Sequence, residues 1–206
     1  MLYLTNTSVM NFENAFRGMR NPLSSWDRSD STVDEKGNFI AGEADLALAK
    51  KLASAGTDHR KFIRQIFVSV DIQAPLYWWK EFDTYKVGTV ANSTSTMHKI
   101  HSKPITVEDF STDKLLPECI PHMEAFIAHI EDLRLRYIET GDKAVWNSII
   151  QLLPTSYEQL RTVTMNYENL ANIHRARRNH KLSEWHIMCD WIENLPYASE
   201  LILFEK

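Results

Sequence analysis

The sequence predicts an α+β fold, a helix-rich domain packed on a small sheet, as one domain over residues 1–206. Three observations carry this. Ile66, Val68, Val70 and Ile72 alternate with Phe67, Ser69 and Asp71, which is the period-2 pattern of a strand with its β-branched residues on one side. Met123, Phe126, Ile127, Ile130, Leu133 and Tyr137 fall on one stripe of a helix over 121–138. Leu182, Trp185, Cys189 and Ile192 make a second helical core stripe over 182–192. Several helices against little strand is the α+β pattern.

The remaining elements follow in order. Residues 1–11 suit a short edge strand. Phe12, Ala15, Phe16 and Met19 have helical spacing, and Asn21-Pro22 stops that helix. The stretch 21–42 is polar and turn-rich, so it reads as a long loop, a length usually reserved for functional or mobile segments. A helix over 43–55 is closed by Gly56. After the 66–72 strand, Ala74-Pro75 opens a helix expected to reach about Lys86, with Pro in its first turn. The segment 87–113 is loop-like and carries Thr89, Ser93, Thr94, Ser95 and Thr96. Gly141-Asp142 breaks the 121–138 helix, a further helix over 144–153 runs to Pro154, and 166–177 is helical.

Composition bounds the function. A hydrophobic content of 44% supplies a core, and 24% charged residues is ordinary for a globule. A net charge of −4 gives no field for DNA, RNA or an acidic membrane. No apolar run reaches the roughly 20 residues that span a bilayer, and the first residues lack the basic and apolar blocks of a signal peptide. Cys119 and Cys189 make neither a zinc spacing nor a disulfide framework, which points to core thiols and a cytoplasmic setting. His98 with His101, and His122 with His129, lack an acidic or Cys partner at ligand spacing, so no metal site is expected. There is no G-x-S-x-G elbow, P-loop or G-x-G-x-x-G.

The stretch from His59 to Lys86, HRKFIRQIFVSVDIQAPLYWWKEFDTYK, followed by a hydroxyl-rich loop, resembles the flavin-dependent thymidylate synthases, also called thymidylate synthase complementing proteins. That family has an apolar strand ending in Ala-Pro, a helix, and then Arg-His-Arg-x-x-Ser. Here the triplet falls on Thr84, Tyr85 and Lys86, and the motif serine on Thr89. A following amide or acid falls on Asn92, a second serine on Thr94 or Ser95, and an Arg-Tyr pair on Met97 and His98. Toward the C-terminus, Leu153-Pro154, Asn166 and Arg177 are spaced like the family's Leu-Pro, Asn and Arg, while an Arg before Leu-Pro falls near Ile150 and is missing. The scaffold matches better than the signature.

The resemblance implies methylation of dUMP with methylenetetrahydrofolate, FAD and NADPH, or a divergent homologue of altered nucleotide specificity. A non-catalytic nucleotide-binding or assembly protein on the same scaffold is the alternative. It implies a pyrimidine nucleotide at Arg177, Thr89, Asn92 and Ser95, and FAD near His59, Lys86 and Asn166. A guanidinium is a planar fork suited to a phosphate or a ring edge, though Arg177 equally fits a solvated helix face beside Arg175 and Arg178. Lys86 suits a phosphate as a point charge or a helix end as a favourable dipole partner. Thr89, Asn92 and Ser95 offer hydrogen bonds, but hydroxyl-rich loops are commonly just solvated. Asn166 suits a ribose or a helix N-cap. The resemblance also implies a homotetramer with a shared site. Consecutive large residues Leu76-Tyr77-Trp78-Trp79 cover more than one helix face, so a second subunit is expected to bury part of them, or else the chain's own core does.

Overall fold

A computed structural model describes residues 1–204. Strands β1 (Tyr3–Met10), β4 (Phe67–Pro75), β5 (Val90–Ser93) and β6 (Glu158–Asn166) form one sheet in the order β1-β4-β6-β5. A small hairpin, β2 (Thr32–Val33) with β3 (Phe39–Ile40), is antiparallel, pairing Thr32 with Ile40 and Val33 with Phe39. The helices are α1 (Phe12–Met19), α2 (Glu43–Ser54), α3 (Leu76–Phe82), α4 (Ile120–Thr140), α5 (Lys143–Leu152), α6 (Tyr167–Arg177), α7 (Ser183–Glu193) and α8 (Ala198–Leu201). The predicted α+β class is the observed one.

Two compact units are interleaved along the chain. The first holds Met1–Tyr3, Ile72–Thr84 and Asn92–Thr162. The second holds Leu4–Asp71, Tyr85–Ala91 and the chain from Val163 on.

In the first unit, Ile130 of α4 and Ile149 of α5 pack with Ile100, Ile105 and Phe110. The α4 stripe read from the sequence lies against this cluster through Met123, Phe126, Ile127, Leu133 and Tyr137. Gly141 takes φ 65° and returns its N–H to Tyr137 O at 2.8 Å, a left-handed stop that releases the chain into α5. Asp142 then caps α5 by accepting from Ala144 N at 2.8 Å. Helix α3 ends at Phe82 rather than near Lys86. Thr84 bonds Glu81 O through both its N–H and its hydroxyl, so a short polar side chain competes with helical continuation. Trp78 and Trp79 are both buried in the single chain, packed edge to face at 5.0 Å. The chain's own core takes both indoles, so they need no covering subunit, contrary to the expectation from this helix. Trp79 Nε1 donates to Gln159 O at 3.0 Å, and the Arg161 guanidinium lies 4.1 Å from the Trp79 ring centroid.

The second unit is built on aromatic rings from distant positions: Phe12, Phe16, Phe39, Phe62, Tyr167 and Tyr197. Val68 and Val70 of β4 are buried as the alternation predicts. The expected long loop 21–42 contains two 3-10 turns and the β2–β3 hairpin. Asp45 of α2, fully buried, fastens it: Arg20 Nε lies 2.5 Å from the carboxylate, and the hydroxyls of Ser29 and Ser31 donate to it at 2.7 and 2.5 Å. Burial opposes ionisation of Asp45, but those hydroxyls and the guanidinium outweigh it and hold the carboxyl below its usual range. Strands β5 and β6 lie where no strand is expected from the sequence. β6 reads EQLRTVTMN, in which polar residues interrupt the apolar alternation, and only Gln159, Val163 and Met165 are buried.

Candidate functional site

In the second unit the segment from Tyr85 to Thr89 is held along α6. At the helix start, Asn166 and Asn169 form a reciprocal capping box: Asn169 N donates to Asn166 Oδ1 at 3.0 Å, and Asn166 N to Asn169 Oδ1 at 3.1 Å. Asn169 Nδ2 then reaches the Val87 carbonyl at 2.7 Å. Gly88 adopts φ 76°, and a Cβ there would stand 3.0 Å from Asn166 Nδ2 and 3.1 Å from Asn169 Oδ1. Backbone conformation and close approach both require glycine. Beside it, Thr89 Oγ1 is buried with no hydrogen-bond partner among the described residues. A buried hydroxyl in that state is destabilising unless something accepts from it.

At the other end of α6, Arg177 Nε donates to the Tyr85 hydroxyl at 2.8 Å. Its guanidinium lies 4.7 Å from the Trp185 ring centroid and 5.6 Å from that of Tyr85. Trp185 and Tyr85 meet edge to face at 6.1 Å. The neighbouring arginines differ: Arg178 pairs with Asp190 and Glu193, and Arg175 donates to Asn172 Oδ1 at 2.9 Å. Arg177 is thus the arginine of this run that faces an aromatic pair.

Lys86, Thr89, Asn166 and Arg177 share this region, with Lys86 exposed. His59 precedes Arg60, which pairs with Glu168 in the first turn of α6 at 3.2 Å. His59 itself lines a cavity of about 620 Å³ with Met19, Leu48, Leu52 and Phe62, to which neither the 85–89 segment nor α6 contributes. Asn92 and Ser95 belong to the first unit and are exposed. Ser95 Oγ accepts from Met97 N and His98 N at 3.2 and 2.9 Å, so it organises its own turn. Sequence reasoning missed Gly88, Asn169 and Tyr85 as parts of the arrangement. Glycine in a polar turn, and Asn-x-x-Asn at a helix start, are the signals that could have found the first two.

The geometry defines a protein of the thymidylate synthase X fold class. The chain is similar to a crystal structure of thymidylate synthase X (ThyX) from Helicobacter pylori with FAD and dUMP, at TM-score 0.74 and 17% identity over 100% of this chain and 98% of that one. A second structure, flavin-dependent thymidylate synthase ThyX from the same organism complexed with FAD and dUMP, gives TM-score 0.72 and 17% identity over 99% and 97%. At this identity the likeness is one of fold. No protein-family model matches the sequence, and no curated protein sequence matches it. Among the described residues no helix is long and apolar enough to cross a membrane.

Proposed function

We propose that the chain is a single-domain, pyrimidine-nucleotide-binding protein on the thymidylate synthase X scaffold, with specificity shifted away from dUMP. The observation that carries this is the Gly88–Thr89 turn, clamped by Asn166 and Asn169, with a buried hydroxyl that has no acceptor among the described residues. A turn locked against a helix N-terminus, with one exposed cation at Lys86, suits a phosphorylated ligand. The ThyX structures were solved with dUMP, and the fold likeness supports the same ligand class here. Asn92 and Ser95, expected as nucleotide contacts, lie in the first unit and are not part of this turn.

Shifted specificity follows from lost charge. Thr84, Met97 and Ile150 stand where the resemblance implies cations, and each missing charge-assisted bond costs about 1.5–3 kcal/mol. Arg177 donates to Tyr85, so its fork is partly occupied by the chain itself. The residues do not fit FAD as one set: His59 faces another cavity, and Asn166 is engaged in capping α6.

Calorimetric titration with dUMP, dTMP and dCMP tests the reading. At least one should bind, and Thr89→Val should weaken it about tenfold or more while leaving stability unchanged or raised, because the orphan hydroxyl is gone. Absence of binding by all three overturns the proposal. The fuller form, methylation of dUMP with FAD, NADPH and methylenetetrahydrofolate, requires a yellow protein with flavin absorbance, and colourless protein sinks it. Loss of signature cations favours the second reading, a non-catalytic binding or assembly protein. A homotetramer remains part of the proposal, and light scattering showing a 23.9 kDa particle excludes it.

A further inference from the structure

The second unit holds an open cleft of about 970 Å³ where the end of β1, the start of α1, the β2–β3 hairpin and the end of α7 meet. Its size falls in the range of small-molecule sites. None of the residues assigned above lines it. We propose that this cleft binds a small organic cation, an ammonium or guanidinium carried on a short apolar stem.

Four aromatic rings line it: Phe12, Phe39, Trp191 and Tyr197. They are fixed in place. Trp191 Nε1 donates to Thr7 Oγ1 at 3.0 Å, and the Tyr197 hydroxyl accepts from Ala41 N at 3.0 Å. Phe39 stacks on Phe12 at 5.8 Å and 11°. A pre-ordered wall spends little entropy on ligand capture.

The polar groups lean toward acceptors. Asn11, Asn14, Asn38 and Asn194 line the cleft, and each already donates an amide N–H to the protein, to Gln65 O, Asn11 Oδ1, Asp34 Oδ2 and Asp190 O at 2.8, 2.6, 2.9 and 2.7 Å. Asn14 Oδ1 accepts from Arg17, which lies outside the lining, and this leaves the oxygens of Asn38 and Asn194 as the open acceptors. Glu13, exposed in the first turn of α1, is the one charged residue among the lining residues, and no Lys, Arg or His joins it. The positive end of α1 and the negative end of α7 both open here and offset one another. Phe12 and Phe39 cover one another, so the partly exposed rings of Trp191 and Tyr197, with amide oxygens and one carboxylate, are what favour a cation and disfavour phosphate.

Backbone strain marks the same place. Only four described non-glycine residues have positive φ, and two of them, Asn11 at 75° and Tyr197 at 55°, line the cleft. Asn tolerates that conformation, but an aromatic residue adopts it at a cost. Such conformations cluster at ligand clamps.

The test follows the Trp191 indole N–H by NMR in the full chain, with pentylammonium as probe and 1-pentanol as its neutral isostere. Pentylammonium should shift the resonance saturably in the low millimolar range, and pentanol should bind roughly three- to thirtyfold more weakly. Glu13→Gln should bring pentylammonium toward pentanol, while Glu124→Gln, an exposed acid of the first unit, should change nothing. Equal binding of the two probes, no saturable shift, or equal effects of the two glutamine variants overturns the proposal. Glu13 is exposed, so its variant keeps the fold. The readout uses no nucleotide, so failure of the proposed nucleotide function leaves this result interpretable.

Discussion

Replacing Gly88 by alanine separates two costs that are usually confounded. The first is conformational: at φ 76° an L-residue pays about 1–2 kcal/mol. The second is steric. The new methyl meets Asn166 Nδ2 at 3.0 Å and Asn169 Oδ1 at 3.1 Å, atoms that cannot turn aside without opening the capping box. Losing that cap and the Asn169–Val87 bond adds about 1–2 kcal/mol. Gly141→Ala isolates the first cost, because Gly141 has φ 65° and a Cβ there meets nothing within 4 Å. Gly141→Ala should therefore lower stability by about 1–2 kcal/mol and Gly88→Ala by about 2–4 kcal/mol. For a chain of this size each kcal/mol moves the melting midpoint by roughly 2–4 °C. Urea unfolding with a shared m-value gives the difference directly. Equal losses in the two variants would refute the clamp, and with it the view that the 85–89 segment is built against α6.

Three further outcomes are expected. Asp45→Asn leaves Arg20 buried opposite a neutral group and should cost about 3 kcal/mol or more at neutral pH; an unchanged urea midpoint contradicts the fastening role given to that pair. The folded-state pKa of Asp45 is depressed, so its stabilisation is present above the unfolded value of about 3.9 and is lost as pH falls through the folded value, and the acid limb of a stability–pH curve should flatten in the variant. Burial pushes the Cys189 thiol up to about 11, so a thiol reagent at pH 8 should label the half-buried Cys119 first and Cys189 only on unfolding; prompt double labelling would show the α7 stripe to be open.

The legible parts of the fold were those where one period dominated a run of sequence. The β4 alternation and the α4 stripe are single-face patterns, and both bury the residues they name. β6 was not legible because its buried face includes Gln159, whose amide donates to Thr94 O at 2.7 Å, so a polar residue sits where the pattern asks for an apolar one. The helix after Pro75 was read too long because Asp83 and Thr84 end it through hydrogen bonds rather than through glycine or proline. Trp78 and Trp79 misled for a different reason: adjacent bulky residues on two helix faces look like an interface until the depth of the core is known. Of the site, the chemistry of Arg177 was readable, but its partner was not. Tyr85 lies 92 positions away, and a single sequence carries no record of that pairing.

Interleaving sets the order in which this chain can fold during synthesis. Leu4–Asp71 emerges early, yet its aromatic cluster needs Tyr167 and Tyr197. The first unit is complete by Thr162, but its opening residues precede the whole of that early segment. Neither unit is a contiguous fragment, so no truncation yields one intact. The rings Phe12, Phe16, Phe39 and Phe62 can meet one another early, but the cover given by Tyr167 and Tyr197 arrives only late in the chain, and closing loops this long slows it.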